Sequence, residues 1–181
     1  MKLVILDRDG VINHDSDQYI KSPAEWRPIE GSPAAIARLT HAGYRVVVAT
    51  NQSGLARGLF DMTTLNAIHD TMHAAVHAAG GRIDAIFFCP HAADAQCSCR
   101  KPRPGMLLEI AQRFNTDLTG VPFVGDALRD VQAAQAAGAS PVLVLTGKGP
   151  MTRDDPQLPP HVPVFADLAS FVATHLEPDA A

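Results

Sequence analysis

The chain has 181 residues, 46% of them hydrophobic, enough for one domain with a proper core and too few for two. A net charge of -4 without basic runs argues against nucleic acid as the main partner, so any anion must be bound by local clusters. The apolar run Leu3-Val4-Ile5-Leu6 is too short for a signal-peptide core and no stretch is apolar enough to span a bilayer, so the expectation is a cytoplasmic protein with no membrane partner.

Leu3-Val4-Ile5-Leu6 reads as a strand that ends in Asp7-Arg8-Asp9-Gly10. Residues i and i+2 of a strand face the same way, so Asp7 and Asp9 point together beyond its carboxyl end, where open α/β sheets keep their active sites. Two carboxylates held that close call for a hard cation such as Mg²⁺, for acid/base work, or for both. Ser32 is expected to cap a helix with Pro33 at its first position, Ile36 and Leu39 on the apolar face, and Gly43 at its end. Strand-like runs recur at 46–49, 86–89, 123–124 and 142–145. Helical patterns cover about 63–79, 105–114 and 128–137, with a last short helix near 167–175. Such alternation means an α/β fold, a Rossmann-like parallel sheet with helices on both faces. Residues 1–181 are expected to form a single domain, with a proline-rich stretch over 147–163 crossing the surface and a C-terminal extension from about 150. His69, His73 and His77 recur at i+4 on the second helix, among alanines and without an acid or thiol to complete a metal site, and read as a half-exposed helix face.

Other polar residues fall at the carboxyl ends of these strands. The second ends in Thr50-Asn51-Gln52-Ser53, the fourth in Gly125-Asp126 with Asp130 one turn later, and Arg100-Lys101-Pro102 precedes the third long helix. In a parallel sheet these segments converge on one crevice. They are what a phosphoryl group needs: a hydroxyl and backbone amides for its oxygens, a lysine for its charge, and a divalent cation held by carboxylates.

Asp7-x-Asp9-Gly10, Thr50-Asn51, Lys101 and Gly125-Asp126-x-x-x-Asp130 resemble the four motifs of the haloacid dehalogenase (HAD) superfamily of phosphatases, a likeness that runs to about Lys148. The resemblance implies that Asp7 is the nucleophile that takes the phosphoryl group and Asp9 the general acid for the leaving oxygen. It implies that Asp7, Asp126 and the backbone carbonyl of Asp9 hold Mg²⁺, and that Asp130 orients either the water shell of the metal or Lys101. An unperturbed aspartate titrates near ~3.9, so an acid at Asp9 requires a raised pKa, for which the charge of the bound substrate is the expected source. The segments 13–27 and 52–62 are the insertions near the site besides the cysteine loop, too short for a cap domain.

All three cysteines fall in Cys89-Pro90-His91 and Cys97-Ser98-Cys99. Three thiols and an imidazole satisfy tetrahedral Zn²⁺ with no open position, a structural site in a loop of about 89–103 that forms one wall of the crevice. This loop resembles those of the heptose 1,7-bisphosphate phosphatases and the histidinol-phosphate phosphatases. The runs from Thr50 to Gly58 and from Arg100 to Met106 resemble the heptose family, where the histidinol branch usually carries an aspartate at Ser53. The short zinc spacing is like the histidinol branch, which stays as the alternative. Ala127 departs from the lysine common in the heptose family. On the heptose reading the enzyme removes the 7-phosphate of a soluble sugar bisphosphate, giving heptose 1-phosphate for ADP-heptose and lipopolysaccharide core biosynthesis, and acts as a monomer. Arg57, Arg100 and Arg103 would supply a second anion site. Asp15 and Tyr19, in the flap formed by the segment 13–27, would touch the sugar, and Thr50, Asn51, Gln52 and Ser53 the transferred phosphate and nearby hydroxyls, with Trp26 packing beneath the flap. A phosphoacceptor receiver or phosphosugar-binding module without turnover is the alternative of another class. Receivers carry their acceptor after strand three, where this chain has Cys89.

Overall fold

The computed structural model describes residues 1–176. Six strands, all parallel, form one sheet in the order β3-β2-β1-β4-β5-β6. They are β1 (Leu3–Leu6), β2 (Arg45–Asn51), β3 (Ala85–Cys89), β4 (Pro122–Gly125), β5 (Ser140–Val144) and β6 (Val164–Phe165). The helices are α1 (Ser32–His41), α2 (Met62–Ala78), α3 (Gly105–Phe114), α4 (Leu128–Ala137), α5 (Gly149–Arg153) and α6 (Leu168–His175).

The alternation of β1 sorts the core into its two layers. Val4 and Leu6 pack with Ile36, Leu39, Ile68, Met72 and Val172 on the face covered by α1, α2 and α6. Leu3 and Ile5 pack with Met106, Leu107, Ile110, Ala133 and Ala134 on the face covered by α3 and α4. Each of these β1 side chains is at least 97% buried, which is worth roughly 1.5–3 kcal/mol apiece. The same period carries past the end of the strand: Asp7 falls to the α3/α4 side and Arg8 to the α2 side.

The parallel sheet with helices on both faces agrees with the sequence reading, and three local features differ from it. The cap of α1 is Gly31, at φ +83°. Ser32 is instead buried, and its hydroxyl donates to the Val11 carbonyl at 2.8 Å, tying the helix to the segment after β1. In the proline-rich stretch, α5 forms because Pro150 stands in its first turn, where a missing N–H is harmless. The sheet also gains β6, two residues paired to β5 and too short to leave a periodic signal. Trp26 is buried in the α1/α2/α6 core, and of the three histidines on α2, His69 is buried while His73 and His77 are exposed.

Candidate active site

β1 and β4 are neighbours, and the Asp7 N–H donates to the Val124 carbonyl at 2.9 Å, so Asp7 and Asp126 emerge side by side. Asp7 is 3% exposed and Asp126 1%. Asp126 is seated by glycines. A Cβ on Gly10, at φ +82°, would lie 2.1 Å from its Oδ2, and one on Gly147, at φ +55°, would lie 2.2 Å from the same atom. That oxygen accepts the Lys148 N–H at 2.7 Å, whereas the buried Oδ1 has no partner among the described residues.

Lys101 enters between these acids from the loop before α3. Its Nζ lies 3.0 Å from Asp7, 2.7 Å from Asp130 and 2.8 Å from the Ala49 carbonyl, to which it donates. Asn51 clamps the lysine backbone from both sides, its Nδ2 donating to the Lys101 carbonyl and its Oδ1 accepting the Lys101 N–H, each at 3.1 Å. Asp130, besides its bond to the lysine, accepts the Ala127 N–H at 3.0 Å. Burial alone would push the Lys101 pKa down, but Asp130 and Asp7 reverse this and hold it charged.

The carboxylates fare differently. Burial raises Asp7 to about 6 in spite of Lys101, and raises Asp126 to about 8 with help from the charges of Asp130 and Asp7. Three carboxylates are thus massed where Lys101 and Arg129 supply the cationic charge. Asp7, Asp126 and Asp130 each bring an oxygen within 4.8 Å of the others. An all-oxygen donor set, excess negative charge and the unpartnered Oδ1 of Asp126 fit a hard divalent cation.

Asp9 stands apart from that cluster. Its carboxylate accepts from Arg8 Nε at 3.1 Å and Nη2 at 3.0 Å, Asn13 Nδ2 at 2.9 Å and Gln52 Nε2 at 3.0 Å. Burial raises its pKa, but the Arg8 charge and these bonds outweigh burial and leave it below the usual carboxylate range. The protein groups around Asp9 do not supply the raised pKa expected for an acid here, because Arg8 completes an ion pair with the carboxylate. The same Gln52 amide also donates to the Thr50 hydroxyl at 3.0 Å.

Asp7 and Asp9 open into a cavity of about 190 Å³, also lined by Asp15, Tyr19, Thr50, Asn51, Gln52, Ser53 and Arg100. Lys101, Asp126 and Asp130 are buried behind its floor. Arg57 and Arg103 stand outside the lining. The Arg57 guanidinium lies over the Tyr19 ring, 5.8 Å from its centroid, and Arg103 donates to the carbonyls of Ala95 and Cys97. Two cations that sequence reasoning passed over do line it, Arg129 and Lys148. Arg129 sits inside the Asp126-to-Asp130 motif, where its charge could have been noticed. Lys148 follows β5, and its Nζ pairs with Asp15 at 3.2 Å, linking that loop to the flap.

Cys89, at the buried end of β3, gathers with His91, Cys97 and Cys99, whose donor atoms also lie within 4.8 Å of one another. The Cys89 and Cys99 sulfurs are 3.2 Å apart, and His91 Nδ1 is 3.3 Å from Cys99 Sγ. Burial and the neighbouring sulfurs push Cys99 up to about 12. Three sulfurs and a nitrogen around one point fit a closed tetrahedral Zn²⁺ site. Arg100 Nη1 donates to the His91 carbonyl at 3.4 Å, so this loop carries one of the cations of the cavity.

Residues 98–171 match the HAD-hydrolase-like family model. The chain is 61% identical to a D-glycero-β-D-manno-heptose-1,7-bisphosphate 7-phosphatase of Bordetella bronchiseptica, over 94% of this chain and 95% of that one. It is 54% identical to the Pseudomonas putida protein of the same name, over 94% of this chain and 97% of that one. Its fold superposes on the crystal structure of the D,D-heptose 1,7-bisphosphate phosphatase of B. bronchiseptica complexed with magnesium and phosphate with a TM-score of 0.96, at 59% identity, covering 97% of this chain and 98% of that one. The chain belongs to the D-glycero-β-D-manno-heptose-1,7-bisphosphate 7-phosphatase family of HAD-like hydrolases.

Proposed function

We propose that this protein is a Mg²⁺-dependent phosphatase that removes the 7-phosphate of D-glycero-β-D-manno-heptose 1,7-bisphosphate through an aspartyl phosphate on Asp7. The observation that carries the reading is the unequal treatment of two adjacent carboxylates. Asp7 pairs with Lys101 and clusters with the carboxylates of Asp126 and Asp130, whereas Asp9 is held apart by Arg8, Asn13 and Gln52. This difference supports a reading in which Asp7, beside the Lys101 cation and a candidate metal site, is the nucleophile and Asp9 the proton carrier.

In the first half-reaction an Asp7 oxygen forms a bond to phosphorus as the bond from phosphorus to O7 of the sugar breaks, and Asp9 delivers a proton to O7. In the second, Asp9 takes a proton from water while that water attacks phosphorus, freeing phosphate and the Asp7 carboxylate. Lys101 neutralises the phosphoryl oxygens throughout. Asp7, Asp126 and the Asp9 backbone carbonyl would hold Mg²⁺, with Asp130 steering Lys101. When bound, the ion supplies positive charge to the phosphoryl oxygens. The resting site favours ionised Asp9, so the proton it donates is stabilised by the negative phosphate brought beside it. Zn²⁺ held by Cys89, His91, Cys97 and Cys99 would order the wall that presents Arg100.

Arg100, Arg129 and Lys148 around the cavity, with neutral Ser53, suit a second phosphate better than the cation of histidinol phosphate. The product, heptose 1-phosphate, would enter ADP-heptose and lipopolysaccharide core synthesis. We take the enzyme as a cytoplasmic monomer of one domain over residues 1–181 acting on a soluble substrate; among the described residues no helix is long and apolar enough to cross a membrane. The test is phosphate release with Mg²⁺ from the β-heptose bisphosphate, its α anomer and L-histidinol phosphate at equal concentration. Preference for the β-heptose compound is expected, and preference for histidinol phosphate would overturn the assignment.

A further inference from the structure

Arg8 is fully buried and follows the nucleophile, yet the reaction as written gives it no substrate contact. Strand alternation sends it to the α2 side of the sheet, where it meets His69, a buried residue of the middle of that helix. Its Nε and Nη2 form a fork on the Asp9 carboxylate, and its Nη1 lies 3.3 Å from His69 Nε2. A guanidinium has donors only, so Nη1–H donates and His69 Nε2 accepts. That places the imidazole proton on Nδ1 and requires a neutral ring. Burial, and then the Arg8 charge, lower the His69 pKa to about 4, in keeping with a neutral acceptor. Phe88 flanks the ring, with centroids 6.4 Å apart.

We infer that His69 is a positioning residue for the acid/base step: by accepting from Arg8 Nη1 it fixes the guanidinium whose other edge holds the Asp9 carboxylate. Nη1 has no other hydrogen-bond partner among the described residues. Removing the acceptor leaves a buried donor unsatisfied, and the guanidinium must shift to recover a partner. Asp9 moves with it, because two of the three groups that hold Asp9, Arg8 and Asn13, lie in its own turn and only Gln52 comes from another strand end. An error of this kind matters most when the leaving oxygen needs a proton.

This inference rests on the assignment of Asp9 as proton donor in the proposed function, and the leaving group separates the two. The full-length enzyme with Mg²⁺ and Zn²⁺ is assayed on D-glycero-β-D-manno-heptose 1,7-bisphosphate, whose leaving alkoxide demands a proton, and on p-nitrophenyl phosphate, whose phenolate does not. Because kcat/KM reports steps only up to departure of the alcohol, it is the quantity to compare. His69→Leu is expected to lower kcat/KM about tenfold for the sugar phosphate and by less than about threefold for the aryl phosphate, within what general acid catalysis contributes. His69→Gln, whose Oε1 can accept near the Nε2 position, is expected to restore most of the loss. Equal falls on both substrates, or no fall on either, would overturn the role of His69. Asp9→Asn, run alongside, must itself strike the sugar phosphate harder; if it does not, the assignment of Asp9 is what fails. Nitrogen NMR of the wild-type enzyme gives a reading that needs no variant. An unprotonated His69 Nε2 at neutral pH is expected, and a protonated Nε2 would exclude the bond.

Discussion

The floor and the rim of this cavity are built on different principles. The floor presents Asp7, with Lys101, Asp126 and Asp130 buried directly behind it, each of the four at most 3% exposed and fixed by the end of a strand, a helix start or a neighbouring charge. The rim consists of Asp15, Tyr19, Arg57 and Arg100, all more accessible, carried by a flap, a turn and a cysteine-rich loop. The floor therefore holds unfavourable charge in a rigid frame, as chemistry requires, and the rim holds pairings that can be traded for a substrate.

The sharpest separation of the two is Asp7→Asn. Turnover should fall by at least about a thousandfold, since no other group can become the phosphoenzyme. Stability should not fall with it. Burial raises Asp7 to about 6, so ionisation is disfavoured in the folded state, and that carboxylate costs stability once the pH exceeds its ordinary value. The metal-free variant is expected to melt no lower than the metal-free parent at pH 7, by calorimetry. A lower melting temperature would mean that Lys101 stabilises Asp7 more than burial penalises it.

Loss of zinc should show the opposite order. Cys97→Ser removes one of four ligands, and the loop that presents Arg100 loses its organiser. Destabilisation on the order of 3 kcal/mol is expected, with zinc lost from the purified protein and activity falling as a consequence of the disordered wall. Metal content and urea unfolding measured on one sample check this. Full zinc occupancy in the variant would remove the thiol from the ligand set.

Gly147→Ala tests how tightly the floor is seated. The new Cβ would fall 2.2 Å from Asp126 Oδ2 and 2.7 Å from the Gly10 backbone, on a residue at φ +55°. The cost should be about 2 kcal/mol, with a higher Mg²⁺ requirement because Asp126 must give way. Thermal melts and a Mg²⁺ titration of activity report the two effects separately.

Legibility followed the same division. Asp7, Asp9, Lys101, Asp126 and Asp130 could be placed because each follows its own apolar run or precedes its own helix, and a parallel sheet brings all strand ends to one edge. The rim depends on which way a long side chain turns at the end of a loop, which spacing does not encode. Arg103 sits two residues from Lys101, yet its guanidinium is committed to Ala95 and Cys97 carbonyls. Arg129 and Lys148 reach the cavity only because α4 and the loop after β5 fold over Asp126. Arg8, a charge beside a strand end, carries no sign of burial in the sequence, and only the fold brings it against His69 of α2.

Buried His69 gives the fold an acid limit of its own. Its pKa is lowered to about 4 from 6.5, so the unfolded chain binds the proton more readily than the folded one between those values. The stability it contributes is complete above about pH 6.5 and is lost as the pH falls toward 4, on the order of 3 kcal/mol in all. Metal ligands also titrate in that range, so the measurement is the difference in urea unfolding free energy between parent and His69→Gln at pH 7 and at pH 5. The parent should lose more on acidification. Parallel losses would show that the ring is already solvated.

The smallest effect belongs to the outermost group. Arg57 is exposed and outside the cavity lining, and its one marked interaction is the guanidinium over the Tyr19 ring. Tyr19 itself lines the cavity and holds φ +63°, a left-handed conformation that an aromatic residue adopts only when its surroundings fix it. An exposed cation–π contact is worth about 0.5–1 kcal/mol, enough to bias where the flap rests and too little to affect the fold. Arg57→Ala should therefore raise KM about two- to fivefold with kcat and melting temperature unchanged. If Arg57 instead grips the second phosphate directly, the loss would be larger and would vanish with a monophosphate substrate. Comparing KM for the bisphosphate and for p-nitrophenyl phosphate decides between a residue that shapes the flap and one that binds the anion.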